Sequence, residues 1–496
     1  MSILNVNKLG PVGGSSTITV AAGVVSYTGK INCPEFDNNP SFTGNVTIAG
    51  NLGVAGTITY EDVSRVDATG ISTFREGYQV GPLTGIALTA YKDGSIRSTG
   101  IITASSFVGD VTGEVNASKF DTNPSGVVVT GVSTATGFVP TQGQLSHRNL
   151  IINGAMNVAQ RGTTSTAQYY QTVDRWSNGY GGTDEAPTQA QVDVTSNDPG
   201  PFEEGFRKAL RITNGNQTSG AGSGDIIQMV YKMEAQDIAN SGWNYKSASS
   251  YITLSFWVKS TVAQNFYGQV RTYDGTAQSL PFETGSLTAN TWKKVTKTFP
   301  GNANITIDND TGEGFRIYLY PMLGTDNTGT VTLDAWAAYA SAARTPNTTT
   351  TWFTTNDAQF ELTGVQLEVG SVATPFEHRS YDDELSRCER YYQTTYQGVG
   401  DDFPRIGMGL AASDTQIQFV YQFRKVMRAV ATPTHTGAFR VDGATTKDVT
   451  SIAFQNGSNT AHQCNFFTGA GLGANNPYII RGHGDPDARL NFDAEL

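Results

Sequence analysis

Cysteine is scarce in this sequence. The three copies, Cys33, Cys388 and Cys464, are far apart. An odd, scattered set excludes a disulfide framework, and no pair has metal-ligand spacing, so folding in a reducing cytoplasm is the expectation. Charge is also scarce, at 16% of residues against about a quarter in ordinary domains. The balance is acidic, with a formal net charge of -11, which argues against a nucleic-acid partner because that role calls for a basic face. No stretch approaches the roughly eighteen apolar residues of a membrane-spanning helix. The start, MSILNVNKLGPVGG, has no basic region followed by an apolar run and does not read as a signal peptide. Five isolated histidines and no Gly-x-Ser-x-Gly elbow leave nucleophilic catalysis without support. Gly469–Gly473 is Gly-rich but lacks the lysine of a phosphate-binding loop.

Glycine, by contrast, is abundant at 55 residues, with much Thr, Ser, Asn and Val. That mixture favours short strands and tight turns. A chain of 496 residues is too long for one core, so two to four domains are expected, on the order of one per 100–200 residues. Residues 1–147 contain no Trp and repeat weakly. Phe36-Asp37-Asn38-Asn39-Pro40-Ser41 returns as Phe120-Asp121-Thr122-Asn123-Pro124-Ser125, and Thr-Gly-Ile/Val recurs at Thr69, Thr99 and Thr130. Short alternating runs such as Val46, Ile48 and Leu52, Val54 lie between Gly50, Gly53 and Gly56. Such a segment makes a poor monomer. Three copies wrapped around one axis would bury its small apolar side chains as an intertwined β shaft; the plainer alternative is a flexible linker.

Composition changes at Arg148. All six tryptophans, Trp176, Trp243, Trp257, Trp292, Trp336 and Trp352, fall between there and His378. Strands are expected at Leu150–Val158, Lys208–Thr213, Ile226–Lys232, Ile252–Lys259, Gly268–Tyr273, Trp292–Phe299, Phe315–Tyr320, Val331–Trp336 and Phe360–Val369. Ile252, Leu254, Phe256 and Val258 share one face of their strand. Phe315, Ile317 and Leu319 do the same, leaving Tyr318 and Tyr320 on the other. Such alternation over many strands predicts an antiparallel sandwich. In Phe360–Val369 the phase slips at Gly364, predicting a β-bulge. Ser380 to about Tyr396 predicts a helix capped by Ser380, with an apolar stripe at Leu385, Cys388 and Tyr392. Residues 397–496 read as a smaller β unit whose last strand runs to Leu496.

Binding chemistry has a few candidates. An aromatic platform for a sugar is offered by Trp257, opposite Phe256 in an alternating strand, and by Trp352 in a polar loop. For both, core or inter-subunit packing is the stronger reading. Tyr478, Arg481, His483, Asp485 and Asp487 make a polar loop before the last strand, where a distal tip would meet a receptor or an ordinary turn would end. Asp308, Asp310 and Glu313 are a weak calcium-type candidate, with a polar turn as the alternative. No cofactor is implied. Adjacent acid pairs such as Glu203-Glu204 and Asp401-Asp402 read as surface charge rather than a glycosidase pair.

Three groups of residues carry family resemblances. NVTIAGNLGVAGTITYEDV and ITASSFVGDVTGEVNASKF resemble the shafts of cyanophage structural proteins over residues 40–145. SFWVKS (Ser255–Ser260) and TWKKVTKTF (Thr291–Phe299) are similar to jelly-roll modules of the carbohydrate-binding-module type. The opening LIINGAM (Leu150–Met156) and the close GVQLEVGSVATPFE (Gly364–Glu377) resemble receptor-binding fibre proteins of tailed bacteriophages, notably those of marine cyanobacteria.

The fold class expected is all-β: an elongated homotrimeric fibre with intertwined β shaft, antiparallel jelly-roll sandwich, one short helix and a C-terminal β domain. Its parts would be a virion-docking segment (1–40), shaft (41–147), jelly roll (148–378), helical connector (379–396) and tip (397–496). The resemblance implies a tail fibre of the virion, assembled in the host cytoplasm. Its partners would be its own copies in a trimer, virion tail or adaptor proteins at the N-terminus, and a host surface glycan or receptor. No nucleic acid and no membrane insertion enter. Attachment without bond breaking is the leading expectation. A structural capsid or neck fibre and a polysaccharide depolymerase are the alternatives.

Overall fold

A computed structural model describes residues 45–55, 78–80, 88–91, 93, 95–98, 147–395 and 403–496. The chain separates into two compact units, Met1–Val128 and Val129–Leu496. The docking segment 1–40, the Phe36 and Phe120 repeats, the three Thr-Gly-Ile/Val elements and Cys33 lie outside the described residues. In the first unit, β1 (Tyr78–Val80), β2 (Leu88–Ala90) and β3 (Ile96–Ser98) form an antiparallel sheet. Residues 45–55 form no strand in a single chain, where Val46, Ile48, Leu52 and Val54 are exposed.

The second unit begins with a two-layer antiparallel sandwich of the jelly-roll class. Its strands are β4 (Thr164–Ser165), β5 (Trp176–Gly181), β6 (Thr188–Asp193), β7 (Lys208–Thr213), β8 (Ile226–Glu234), β9 (Tyr251–Ser260), β10 (Tyr267–Thr272), β11 (Gln278–Glu283), β12 (Lys293–Pro300), β13 (Glu313–Leu323), β14 (Ala337–Ala338) and β15 (Gln359–Val369). One sheet runs β14-β11-β10-β13-β8-β5 and the other β12-β9-β15-β7-β6-β4. Alternation drives this arrangement. Ile252, Leu254, Phe256 and Val258 of β9 meet Phe315, Ile317 and Leu319 of β13 in one core, with Trp176, Phe266, Phe282, Phe299 and Phe360. The bulge predicted at Gly364 is present. Pairing with β9 shifts between Thr363 and Gln366, and Gly364 has φ +62°. Phe360 and Leu362 before it and Val365 and Leu367 after it all reach the core.

Two expected strands are not strands. Leu150–Val158 is turns, because Asn153 binds its own neighbourhood: its side-chain amide donates to the Val158 and Asp174 carbonyls and its oxygen accepts from the Val158 N–H. Val331–Trp336 is likewise irregular; only Ala337–Ala338 pair, on the β11 edge. A five-residue helix, α1 (Ala235–Ala239), follows β8.

Helix α2 spans Tyr381–Cys388, with the Ser380 hydroxyl accepting from the Asp383 N–H at 3.2 Å. It stops short of the expected Tyr396 because the following residues are claimed by tertiary contacts. The Tyr391 hydroxyl donates to Glu234 at 2.6 Å, and β16 (Tyr392–Thr394) pairs with β24 (Arg489–Asp493). The buried stripe of α2 is Glu384 and Cys388 rather than Leu385. Between β16 and β24 come β17 (Arg405–Ala411), β18 (Gln416–Gln422), β19 (Thr432–Thr436), β20 (Phe439–Asp442), β21 (Thr446–Gln455), β22 (Ala461–Thr468) and β23 (Pro477–Gly482). Six close a barrel in the order β17-β18-β22-β21-β20-β23, while β16-β24-β19 form a small sheet beside it. Ile417, Val441, Cys464, Phe466, Ile480 and Phe492 are among the residues of this second core. Cys388 and Cys464 are free, buried thiols. Among the described residues no helix is long and apolar enough to cross a membrane.

Candidate functional site

The residues singled out from sequence are not brought together. Trp352 is wholly buried, its indole N–H donating to the Gln359 carbonyl, so its ring belongs to the core and offers no platform. Tyr478 is buried in the barrel, its hydroxyl accepting from the Gly473 N–H at 3.0 Å. Tyr478 and Arg481 are on β23 and not in a loop, and the charges from Arg481 onward are used internally. Arg481 pairs with Asp442, and His483 lies 3.2 Å from Asp448, which also binds Arg440. Asp485 accepts from the N–H groups of Ala438 and Asp487, and the Asp487 carbonyl accepts from Thr436. These bonds shape the turn, the ordinary reading of that loop.

The calcium-type candidate also dissolves. Glu313 is held by both ends of the Arg316 guanidinium, and Asp310 accepts from the Gly312 N–H. Asp308 is exposed and engages Asp274 through its backbone. Among the described residues no group of three or more His, Cys, Asp or Glu is placed to hold a metal.

Trp257 is half-buried on the outer face of its sheet. The backbone of Gly200 packs against its six-membered ring, its N–H donates to Glu204 at 3.0 Å, and Lys294 lies 5.8 Å from the ring. Glu204 and Lys294, 2.9 Å apart, line a groove of about 580 Å³ with Thr296, Phe376 and His378. A larger cleft, about 760 Å³, opens between sandwich, α2 and barrel. Its cations are largely engaged: Arg390 with Glu234, Arg387 with Asp383 and His147, and Arg148 with the Pro375 carbonyl.

The outer face of the β10–β13 sheet is different. Inward Phe315, Ile317 and Leu319 force Arg316, Tyr318 and Tyr320 outward, and inward Val270 does the same for Gln269 and Arg271. Register places Arg271 opposite Arg316 and Gln269 opposite Tyr318. The result is a ladder of alternating rings and guanidinium groups. Arg271 lies 3.4 Å from the Tyr339 ring centre and 4.5 Å from that of Tyr273. Arg316 lies 4.2 Å from Tyr273 and 5.4 Å from Tyr318. Tyr318 and Tyr320 stack at 5.5 Å, 12° from parallel.

Tyr318 and Tyr320 are buried at the base, whereas Tyr273, Tyr339, Arg271 and Arg316 remain half-exposed. Each arginine–tyrosine contact is worth about 0.5–2 kcal/mol depending on exposure, which stiffens side chains that would otherwise be mobile. Burial, and then the neighbouring Tyr318, push the Tyr273 hydroxyl well above its ordinary range, and that hydroxyl is hydrogen-bonded to the Tyr318 hydroxyl. Rings flanked by planar donors can take the apolar face of a sugar and pair its hydroxyls at once. Of these residues only Tyr318 and Tyr320 were recognisable in sequence as opposite to the core. Arg271 and Tyr273 alternate in Arg271-Thr272-Tyr273, a signal that was present but weak. Tyr339 arrives from a distant irregular segment, fixed by its N–H to the Ala277 carbonyl.

No protein-family model matches the sequence, and no curated protein matches it. Solved structures do. The enzymatically active domain of tailspike protein 4 of bacteriophage CBA120 aligns with 45% of this chain at 11% identity and TM-score 0.24, and that alignment spans only 21% of the tailspike chain. A putative sugar binding protein from Bacteroides thetaiotaomicron aligns with 45% of this chain and 100% of its own, at 11% identity and TM-score 0.24. The family 11 carbohydrate-binding module from Clostridium thermocellum, solved with a mixed-linked tetrasaccharide, aligns with 43% of this chain and 98% of its own, at 10% identity and TM-score 0.21.

Proposed function

We propose that this chain is a receptor-binding fibre of a tailed phage virion that attaches it to a host by recognising surface glycan without breaking bonds. The observation that carries the reading is the tyrosine–arginine ladder on the outer face of the sandwich: Tyr339, Arg271, Tyr273 and Arg316, half-exposed and mutually braced. The phage part rests on the opening and closing segments of the sandwich and on the shaft-like repeats. A trimer would give three equivalent faces and avidity through effective concentration.

The test is cell or glycan binding by the full chain. Tyr339→Ala removes a ring that no core residue needs. We expect it to weaken glycan binding about tenfold, in keeping with one aromatic–sugar platform, with thermal unfolding little changed. Binding at wild-type strength would overturn the assignment of this face. Imaging of residue 1 on the capsid wall would favour the structural-fibre alternative.

One observation favours a depolymerase: Asp237 and Asp383 line the same 760 Å³ cleft, and glycosidases use two carboxylates about 5–10 Å apart. Asp383, however, is committed to the first turn of α2 and to Arg387. Shortened products after incubating the protein with envelope polysaccharide would make it an enzyme.

A further inference from the structure

Resting on the reading of this face as a glycan site, we infer that the glycan carries a carboxylate, as uronic-acid sugars do, and that Arg271 receives it. The other cations named on this side of the sheet each have a partner. Arg316 is clasped by Glu313 and donates to the Tyr318 hydroxyl at 2.7 Å. Lys232, opposite Arg316 on β8, donates to the Leu496 carbonyl oxygen. Arg175, which donates to the Lys232 carbonyl at 2.7 Å, is paired with Glu495.

Arg271 differs from Arg316 and Arg175 in having rings where they have a carboxylate. Its guanidinium is held by Tyr339 and Tyr273. Its Nε is buried without a partner among the described residues, so the Nη edge is the part a ligand would meet. Acidic residues outnumber basic ones by 44 to 33, so carboxylates are plentiful, yet among the described residues no carboxylate pairs with it.

Such a group is costly to leave unpaired, since arginine carries five fixed donors and a charge that does not titrate away. Ring packing fixes the plane and thereby removes the rotamer cost of binding. A planar fork matches a planar carboxylate through two parallel N–H···O bonds. The Tyr339 ring beside it would take the apolar face of the same sugar. Glu313, the acid that pairs with the ladder, is neutralised by Arg316.

The test uses the full chain and hexasaccharides of galacturonate, glucuronate and mannuronate, each paired with its carboxyl-reduced neutral counterpart. One uronate is expected to bind roughly ten- to a hundredfold tighter than its reduced form, the range for hydrogen bonds to charged groups. Added salt should narrow the gap. Arg271→Gln should abolish that preference, so that native and reduced sugars bind alike, both at or below the wild-type affinity for the reduced sugar. Arg271→Lys, charge without fork, should fall between. Equal binding of native and reduced sugars, or a preference that survives Arg271→Gln, overturns the carboxylate inference and leaves glycan recognition standing. A sulfated neutral hexasaccharide outbinding every uronate overturns it too. No binding of any sugar, charged or neutral, removes the glycan reading itself.

Discussion

Asp174 is buried beside Arg161, and its carboxyl is pushed up to about 6 from 3.8. Burial is the main cause, and the Arg161 charge and the Gln160 hydrogen bonds oppose it only partly. The native state therefore holds a proton between about pH 4 and 6 that the unfolded chain releases. Stability falls as pH rises through that window, because the folded state binds more protons there. The shift corresponds to at most about 3 kcal/mol at neutral pH. Asp174→Asn keeps one acceptor for the Gln160 N–H and carries no charge. Relative to this variant, the wild type is expected to gain stability as pH drops from 6 towards 4, measured by urea unfolding. A difference that stays flat, or moves the other way, would show that Asp174 is ionised throughout.

The bulge in β15 lets one strand keep two phases of apolar residues on the same core. Gly364 makes it possible twice over: its backbone is left-handed at φ +62°, and a Cβ there would meet the Phe206 ring at 2.7 Å. Left-handed backbone costs an ordinary residue about 1–2 kcal/mol, and a displaced Phe206 adds packing loss. Gly364→Ala should therefore lower unfolding stability by about 2–4 kcal/mol, within the range of large single-site effects; a loss below about 0.5 kcal/mol, typical of surface changes, would contradict the account. This bulge was legible because both halves of the strand are strongly apolar. So were β7, β9 and β13. The strands β5, β6 and β11 were not: WSNGYG and TQAQVD carry too few apolar residues to show a period, and QSLPFE holds a proline, which counts against a strand. Their pairing comes from neighbours. Leu150–Val158 failed in the opposite sense, since apolar residues there are buried from turns held by Asn153. The ladder was half visible. Alternation showed that Tyr318 faces away from the core, but sequence could not show Tyr339 crossing to stack on Arg271.

At the scale of the whole molecule, two couplings decide whether the chain works as a fibre. The first is between copies. Val46, Ile48, Leu52 and Val54 are exposed in one chain, and a trimer would cover them; native mass measurement should give three times 53.0 kDa, and a folded monomer would refute the fibre proposal. The second lies within the second unit, where the last residues join barrel to sandwich. Glu495 pairs with Arg175, which is 1% exposed and packed 3.4 Å from the Tyr391 ring. The Leu496 carbonyl oxygen accepts from Lys232 and Tyr170. Arg428 donates to the carbonyls of Ala494, Glu495 and, on the sandwich, Thr311. Removing Glu495 and Leu496 strands a buried guanidinium, a loss of about 3–5 kcal/mol when one partner of a buried pair is deleted. Because the six barrel strands and their core of Ile417, Val441, Phe466 and Ile480 are untouched, the barrel itself should still fold. Calorimetry of this deletion should split one cooperative transition into two, sandwich and barrel melting apart. Glu495→Gln, which keeps an acceptor, should lower the midpoint less and leave one transition. A deletion that melts as the wild type does would mean that β16 and α2 carry the coupling instead.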